Sequence, residues 1–115
     1  MQTPGHQDKV VERRQSRRFE IPLKGRLMLT DRWEFDCLVV DVSPRNVFLK
    51  TDADGRRGER VIAYIDHIGR LEGRIARIAP FGFAMELDLP AIRREKLSIQ
   101  LRKLAALLQK QQAAA

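Results

Sequence analysis

Alternation of apolar and polar residues along most of residues 19–88 constrains the fold more than any other feature of this sequence. After Phe19, the apolar side chains recur every second residue or at multiples of two, at Ile21, Leu23, Leu27 and Leu29. That spacing is typical of a half-buried β-strand. Further runs rich in β-branched and aromatic residues follow at 33–42, 47–49, 60–66, 71–79 and 83–87. The sequence therefore predicts six strands.

The segments between these runs are turns and one polar loop. Asp31-Arg32 separates the first two strands, residues 52–58 form the loop, and Pro80-Phe81-Gly82 precedes the last strand. Such connections are too short for the crossovers that parallel strands need. We therefore predict a mainly β fold, an antiparallel sheet or barrel over residues 19–88.

The last segment has a helical period. Pro90 is a good first-turn residue, and neither Gly nor Pro follows it. An apolar stripe then recurs at spacings of four, three and four, at Leu97, Leu101, Leu104 and Leu108. We predict a helix over 90–110 that docks on the barrel. Ile92 and Ile99 fall on another face, which either stays exposed or pairs with a second chain, so we expect a monomer or a weak homodimer.

Charge is concentrated at the two ends of the chain. The 115 residues suffice for one domain, and 22 Lys and Arg against 15 Asp and Glu give a net charge of +7. Residues 1–18 carry +3 and residues 91–115 carry +5, whereas residues 19–90 carry −1. We therefore expect the ends to meet an anionic partner. Residues 1–11 are predicted to be a flexible tail and residues 111–115 a frayed one.

Several classes of function are not supported by the sequence. Cys37 and two histidines cannot form a four-ligand Cys/His zinc site, and no spacing suggests a catalytic pair or a phosphate-binding glycine loop. We therefore expect no enzyme, no metal and no cofactor. No apolar run reaches the roughly 18 residues of a membrane span, and no secretion signal is visible, so we expect a cytoplasmic protein.

Four arginines stand directly before the first predicted strand, at Arg13, Arg14, Arg17 and Arg18. A guanidinium group makes two parallel hydrogen bonds to a phosphate or to the O6/N7 edge of guanine, and it stacks on a base. The alternative is a solvated basic leader without a ligand.

A second polar cluster ends the second predicted strand, at Asp41, Ser43 and Asn46. By strand parity, Asp41 and Ser43 share a face, and Asp41 continues the row of Phe35, Cys37 and Val39. A carboxylate only accepts hydrogen bonds, and guanine offers adjacent N1–H and N2–H donors. Asn46 is among the few non-glycine residues that tolerate a left-handed backbone in such a turn. The alternative is a turn that merely ends the strand.

Together the two clusters resemble the motifs of the PilZ domain family. The chain has an Arg-x-x-x-Arg pair at Arg14 and Arg18, with Phe19 directly after it, and an Asp-x-Ser-x-x-Asn motif at residues 41–46. Gly58 before a strand and the run from Gly82 to Leu87 before a helix also match. The resemblance covers residues 12–108. It implies a six-stranded antiparallel barrel at 19–88 with a C-terminal helix and a flexible Arg-rich segment at 12–18.

The resemblance also implies a ligand, the bacterial second messenger cyclic di-GMP (c-di-GMP). Arg14 and Arg18 would grip phosphate and guanine, Arg13 and Arg17 would add contacts, and Asp41 and Ser43 would receive a guanine. Asn46 stands where the family pattern has Gly, and we expect binding to be retained. Binding would order the N-terminal loop and signal to a downstream protein in motility, adhesion or exopolysaccharide control.

Two other functions remain open at this point. The first is a PilZ-like protein adaptor that works without a ligand. The second is a small basic barrel that binds nucleic acid, for which the proposed stacking residues are Phe48, Tyr64, Phe81 and Phe83. We expect c-di-GMP, not nucleic acid, to be the anion.

Overall fold

The structure is a computed structural model that describes residues 17–114. Six strands and one helix follow in chain order. They are β1 (Lys24–Met28), β2 (Glu34–Val42), β3 (Asn46–Thr51), β4 (Arg60–Ile65), β5 (Gly69–Ala79), β6 (Gly82–Leu87) and α1 (Ala91–Ala114). The predictions made for residues 1–11, Arg13 and Arg14 concern positions outside the described residues.

The strands close into a barrel in the order β1-β2-β3-β6-β5-β4, and every neighbouring pair is antiparallel. This confirms the predicted six-stranded antiparallel barrel with a C-terminal helix. The inward positions are apolar on every strand, with fully buried side chains such as Leu27, Val39, Leu49, Leu71 and Met85. Burial of these side chains provides the main driving force for closing the barrel.

Helix α1 packs on this core through the predicted leucine stripe. Leu97 and Leu101 are buried, and Leu104 and Leu108 are half-buried against the core. The helix continues to Ala114, beyond the predicted end at 110, because its last residues are good helix formers without Gly or Pro. Along residues 17–114, no helix is both long and apolar enough to cross a membrane.

The first strand begins later than its periodicity predicts. Residues 19–23 alternate between buried and exposed positions like a strand, yet ladder pairing with β2 and β4 starts only at Lys24 and Gly25. Pro22 lacks an N–H, and the N–H of Leu23 donates to the carbonyl of Ile21 at 2.8 Å. This three-residue turn lets the preceding segment pair separately with the far end of β2.

Candidate functional site

An isolated β-bridge between Phe19 and Val42 brings the two polar clusters together. The N–H of Phe19 donates to the carbonyl of Val42 at 2.8 Å, and the N–H of Val42 donates back to Phe19 at 2.9 Å. Both side chains are buried, at 6% and 0% exposure. The bridge therefore fixes the end of the arginine segment beside residues 41–43.

Arg18 and Asp41 are in direct contact at this bridge. Nη1 of Arg18 donates to Oδ1 of Asp41 at 2.5 Å. Their side chains are 55% and 25% exposed, so donors of the guanidinium and acceptors of the carboxylate still face solvent. Side by side, the pair presents hydrogen-bond acceptors next to donors at one edge of the barrel.

A β-bulge in β2 sets the direction of Asp41. The register with β3 shifts between Val39 and Asp41, after which Asp41 pairs with Phe48 and Val42 pairs with Val47. Because the bulge adds one residue, Val42 takes the inward position. The prediction that Asp41 continues the row of Phe35, Cys37 and Val39 is therefore wrong, and the bulge turns this carboxylate outward towards Arg18.

Ser43 uses its hydroxyl within the chain turn between β2 and β3. The Oγ atom accepts hydrogen bonds from the N–H of Arg45 at 3.2 Å and of Asn46 at 3.1 Å, and it lies 3.3 Å from the carbonyl oxygen of Asn46. The residue is 2% exposed. The hydroxyl of Ser43 therefore stabilises the turn that ends β2, which is the alternative that the sequence left open for this cluster.

Asn46 has an extended backbone as the first residue of β3, where it pairs with Glu86. Among residues 17–114, the non-glycine residues with positive φ are Arg32 and His67. Asn46 therefore does not use the left-handed backbone that asparagine tolerates. The turn is closed between Ser43 and Asn46, since the N–H and the Oγ of Ser43 both donate to the carbonyl of Asn46.

Arg17 lies on the other side of the bridge from Arg18. Its guanidinium carbon sits 4.8 Å from the centre of the Phe19 ring, a cation–π contact. The structure thus brings Arg18 and Asp41 together, with Ser43 shaping the turn beside them, while Arg17 covers Phe19.

Sequence reasoning missed Arg77, which contacts Phe48 beside this site. Phe48, the cross-strand partner of Asp41, has its ring centre 5.6 Å from that of Phe81 and 5.7 Å from the guanidinium carbon of Arg77. Of the other proposed stacking residues, Phe83 is 1% exposed and cannot meet a base, whereas Tyr64 is exposed on β4. A bulge in β5 turns Arg77 outward, and a bulge leaves no signal in a strand pattern.

Cys37 is a packing residue. Burial raises the pKa of its thiol to about 11, with Asp36 adding to the shift, so the thiol stays protonated near neutral pH. In the described part of the chain, no group of three His, Cys, Asp or Glu side chains is arranged to hold a metal ion.

Comparison with known proteins agrees with this architecture. The family model described as PilZ domain matches residues 12–103. No curated protein sequence matches significantly. The PilZ domain of YcgR from Escherichia coli, solved with c-di-GMP, has a TM-score of 0.65 at 11% identity, covering 90% of this chain and 99% of that one.

Two other solved structures are similar in fold. The PilZ domain of CeSA from a cellulose-synthesizing bacterium has a TM-score of 0.60 at 15% identity, covering 82% of this chain and 99% of that one. PlzA from Borreliella burgdorferi, solved with c-di-GMP, has a TM-score of 0.60 at 14% identity, covering 88% of this chain and 45% of that one. From the family match and the fold together, this chain belongs to the PilZ domain family.

Proposed function

We propose that this protein is a non-enzymatic receptor for c-di-GMP. The observation that carries the proposal is the contact between Arg18 and Asp41, which joins the arginine cluster to the Asp-x-Ser-x-x-Asn cluster across 23 positions. Membership in the PilZ family supports the same ligand, as do the two structural neighbours that were solved with c-di-GMP.

The chemistry of the contact suits a guanine base. Along its edges, guanine presents the N2–H and N1–H donors followed by the O6 and N7 acceptors. The Asp41 carboxylate offers acceptors and the Arg18 guanidinium offers donors directly beside them, which is the complementary order. An adenine presents an amino donor where guanine has O6, so the donors of Arg18 would face another donor and the pair would disfavour adenine.

The remaining arginines complete the site in this proposal. Arg14 and Arg13 would contact the two phosphates, and Arg17 would add a base or phosphate contact after leaving Phe19. Ser43 would act by holding the turn that positions Asp41, and Asn46 would lie at the start of β3 below the ligand. Each charge-assisted hydrogen bond to phosphate contributes more than a neutral one.

Binding would order the N-terminal loop and change the surface that a downstream protein meets. Fixing each backbone residue costs about 1–2 kcal/mol, which the new hydrogen bonds must exceed. Amide hydrogen exchange of residues 8–18 with and without saturating c-di-GMP tests this step. Slower exchange across the segment is expected, and unchanged exchange would contradict it.

Isothermal titration calorimetry with c-di-GMP tests the receptor role itself. We expect saturable binding to the wild type and an affinity at least tenfold lower in the Arg14→Ala/Arg18→Ala variant. The control variant Arg57→Ala, at an exposed arginine of the β3–β4 loop, should keep the wild-type affinity. GTP and cyclic di-AMP serve as ligand controls. Absence of binding to the wild type would contradict the proposal and favour the ligand-independent adaptor.

A further inference from the structure

A row of outward-facing residues continues from Asp41 across four strands of the barrel. Asp41 on β2 pairs with Phe48 on β3, Phe48 pairs with Ala84 on β6, and Ala84 pairs with Arg77 on β5. The sequence neighbours of Phe48 and Ala84 point inward and are buried, at Val47, Leu49, Phe83 and Met85. The row therefore lies on the same outer face as the contact between Asp41 and Arg18.

Two rings and a guanidinium group meet in the middle of this row. The rings of Phe48 and Phe81 are tilted by 35° with centres 5.6 Å apart, and the Arg77 guanidinium carbon is 5.7 Å from the Phe48 centre. Phe81 is 52% exposed, although it is a large apolar side chain. An aromatic surface of this kind, open to water and flanked by a cation, is suited to stacking a planar base.

The backbone holds Phe81 in place beside β3. The carbonyl of Phe81 accepts a hydrogen bond from the N–H of Thr51 at 3.0 Å. The next residue, Gly82, allows this close approach because a Cβ atom there would collide with the carbonyl oxygen of Leu49. The ring is thus presented from a fixed turn, which lowers the entropy lost when a ligand stacks on it.

Open space lies beside the Phe81 ring. A groove of about 950 Å³ is lined by Phe81 together with the cations of Lys24 and Lys50 and the carboxylates of Asp36, Asp52 and Asp54. Neighbouring strands are about 4.8 Å apart, so β2 and β5 are separated by roughly 14 Å along the sheet. A compound with two guanine bases and two phosphates can cover that span.

We propose that Phe48, Phe81 and Arg77 form a second subsite that stacks the purine base not held by Asp41 and Arg18, with Arg77 also neutralising a phosphate. This inference rests on the proposed c-di-GMP function and extends its site from β2 to β5. Stacking does not distinguish guanine from adenine, since every base has a π face. The subsite therefore contributes affinity, and Asp41 contributes the choice of base.

Calorimetry on three variants tests the subsite. Phe81→Leu keeps apolar bulk but removes the ring, Arg77→Gln removes the charge, and Tyr64→Leu is the control, because it removes a similarly exposed ring from β4, a strand outside the row. We expect c-di-GMP affinity to fall about 5- to 30-fold in each of the first two variants and to stay within twofold in the control. Thermal melts establish that all three are folded.

Intermolecular nuclear Overhauser effects on the wild-type complex give a second readout that does not depend on a variant. Contacts between the Phe81 ring protons and a guanine H8 are expected. If the wild type binds c-di-GMP while both variants keep its affinity and no such contact is seen, the subsite is overturned but the receptor role stands. If the wild type does not bind, the receptor role fails and the subsite fails with it.

Discussion

At the scale of single residues, the Asp-x-Ser-x-x-Asn motif combines two different tasks. Asp41 is outward, one quarter exposed and paired with Arg18, so it is available to a ligand. Ser43 is buried, and its hydroxyl satisfies two backbone N–H groups of the turn. The motif positions one carboxylate with the help of one serine, and the two roles can be separated by mutation.

We predict that Ser43→Ala lowers the free energy of unfolding by about 1–3 kcal/mol, because it leaves two partly buried backbone donors without their acceptor. Urea unfolding monitored by circular dichroism measures this. Ser98→Ala, at a buried serine within α1 where alanine is a good helix former, is the matched control and should change stability little. A Ser43 variant as stable as the wild type would contradict the role given to its hydroxyl.

For Asp41→Asn we predict a loss of ligand affinity with little change in stability. The amide replaces one acceptor by a donor that faces guanine N–H groups, so c-di-GMP affinity should fall more than tenfold, while stability changes by less than about 1 kcal/mol because the exposed ion pair contributes little. Calorimetry and urea unfolding of the same variant give both values. Retained affinity would exclude Asp41 as the guanine acceptor.

At the scale of elements, periodicity predicted which apolar side chains face the core, but it did not predict the positions of the β-bulges. The leucine stripe of α1 and the number of strands follow from spacing alone. The bulges in β2 and β5 do not, since one extra residue leaves the apolar pattern readable while it reverses the direction of Asp41 and Arg77. The turn at Pro22 likewise depends on pairing with β2, which is remote in sequence.

The β3–β4 loop shows how a polar connection is anchored to the barrel. Glu59 accepts hydrogen bonds from the hydroxyl of Thr30 at 2.5 Å and from the N–H of Arg56 at 3.0 Å. The hydrogen bond from the Thr30 side chain is the main cause that lowers the pKa of Glu59 below its usual value of 4.5, and the bond from Arg56 adds to it.

We predict that Glu59→Gln lowers stability at pH 7 by about 1 kcal/mol, which is below the usual range for hydrogen bonds to charged groups because solvent screens these bonds. Since folding lowers this pKa, the carboxylate contributes fully above pH 4.5 and loses its contribution as the pH falls through the lower folded-state value. Unfolding in urea at pH 7, 5 and 3 measures the difference. A difference that does not shrink at pH 3 would contradict the assignment.

At the scale of the whole molecule, a nearly neutral barrel carries two basic ends. The two ends carry +3 and +5 against −1 for residues 19–90, which gives the net charge of +7, and they attract any polyanion as well as a dinucleotide. The burial of Phe83 removes one of the stacking residues on which a nucleic-acid interface would depend. Salt also distinguishes the two kinds of site, because binding of a polyanion to a diffuse basic surface weakens more steeply with salt than binding of a dinucleotide to a specific site.

We predict that raising salt from 50 to 200 mM weakens c-di-GMP binding only about tenfold, because two phosphates release few counterions. Fluorescence anisotropy with labelled c-di-GMP measures this, and a labelled single-stranded oligonucleotide is the comparison, for which we expect weak binding that is lost at the higher salt. Oligonucleotide binding that persists at 200 mM and exceeds that of c-di-GMP would favour the nucleic-acid function.

The most direct test of the central claim exchanges the two charges of the contact at the bridge. The Arg18→Asp/Asp41→Arg variant keeps the net charge and an ion pair, but it reverses the order of donors and acceptors that a guanine meets. We predict a melting temperature within a few degrees of the wild type and no measurable c-di-GMP binding by calorimetry. Wild-type affinity in this variant would show that the ligand is not recognised by this pair.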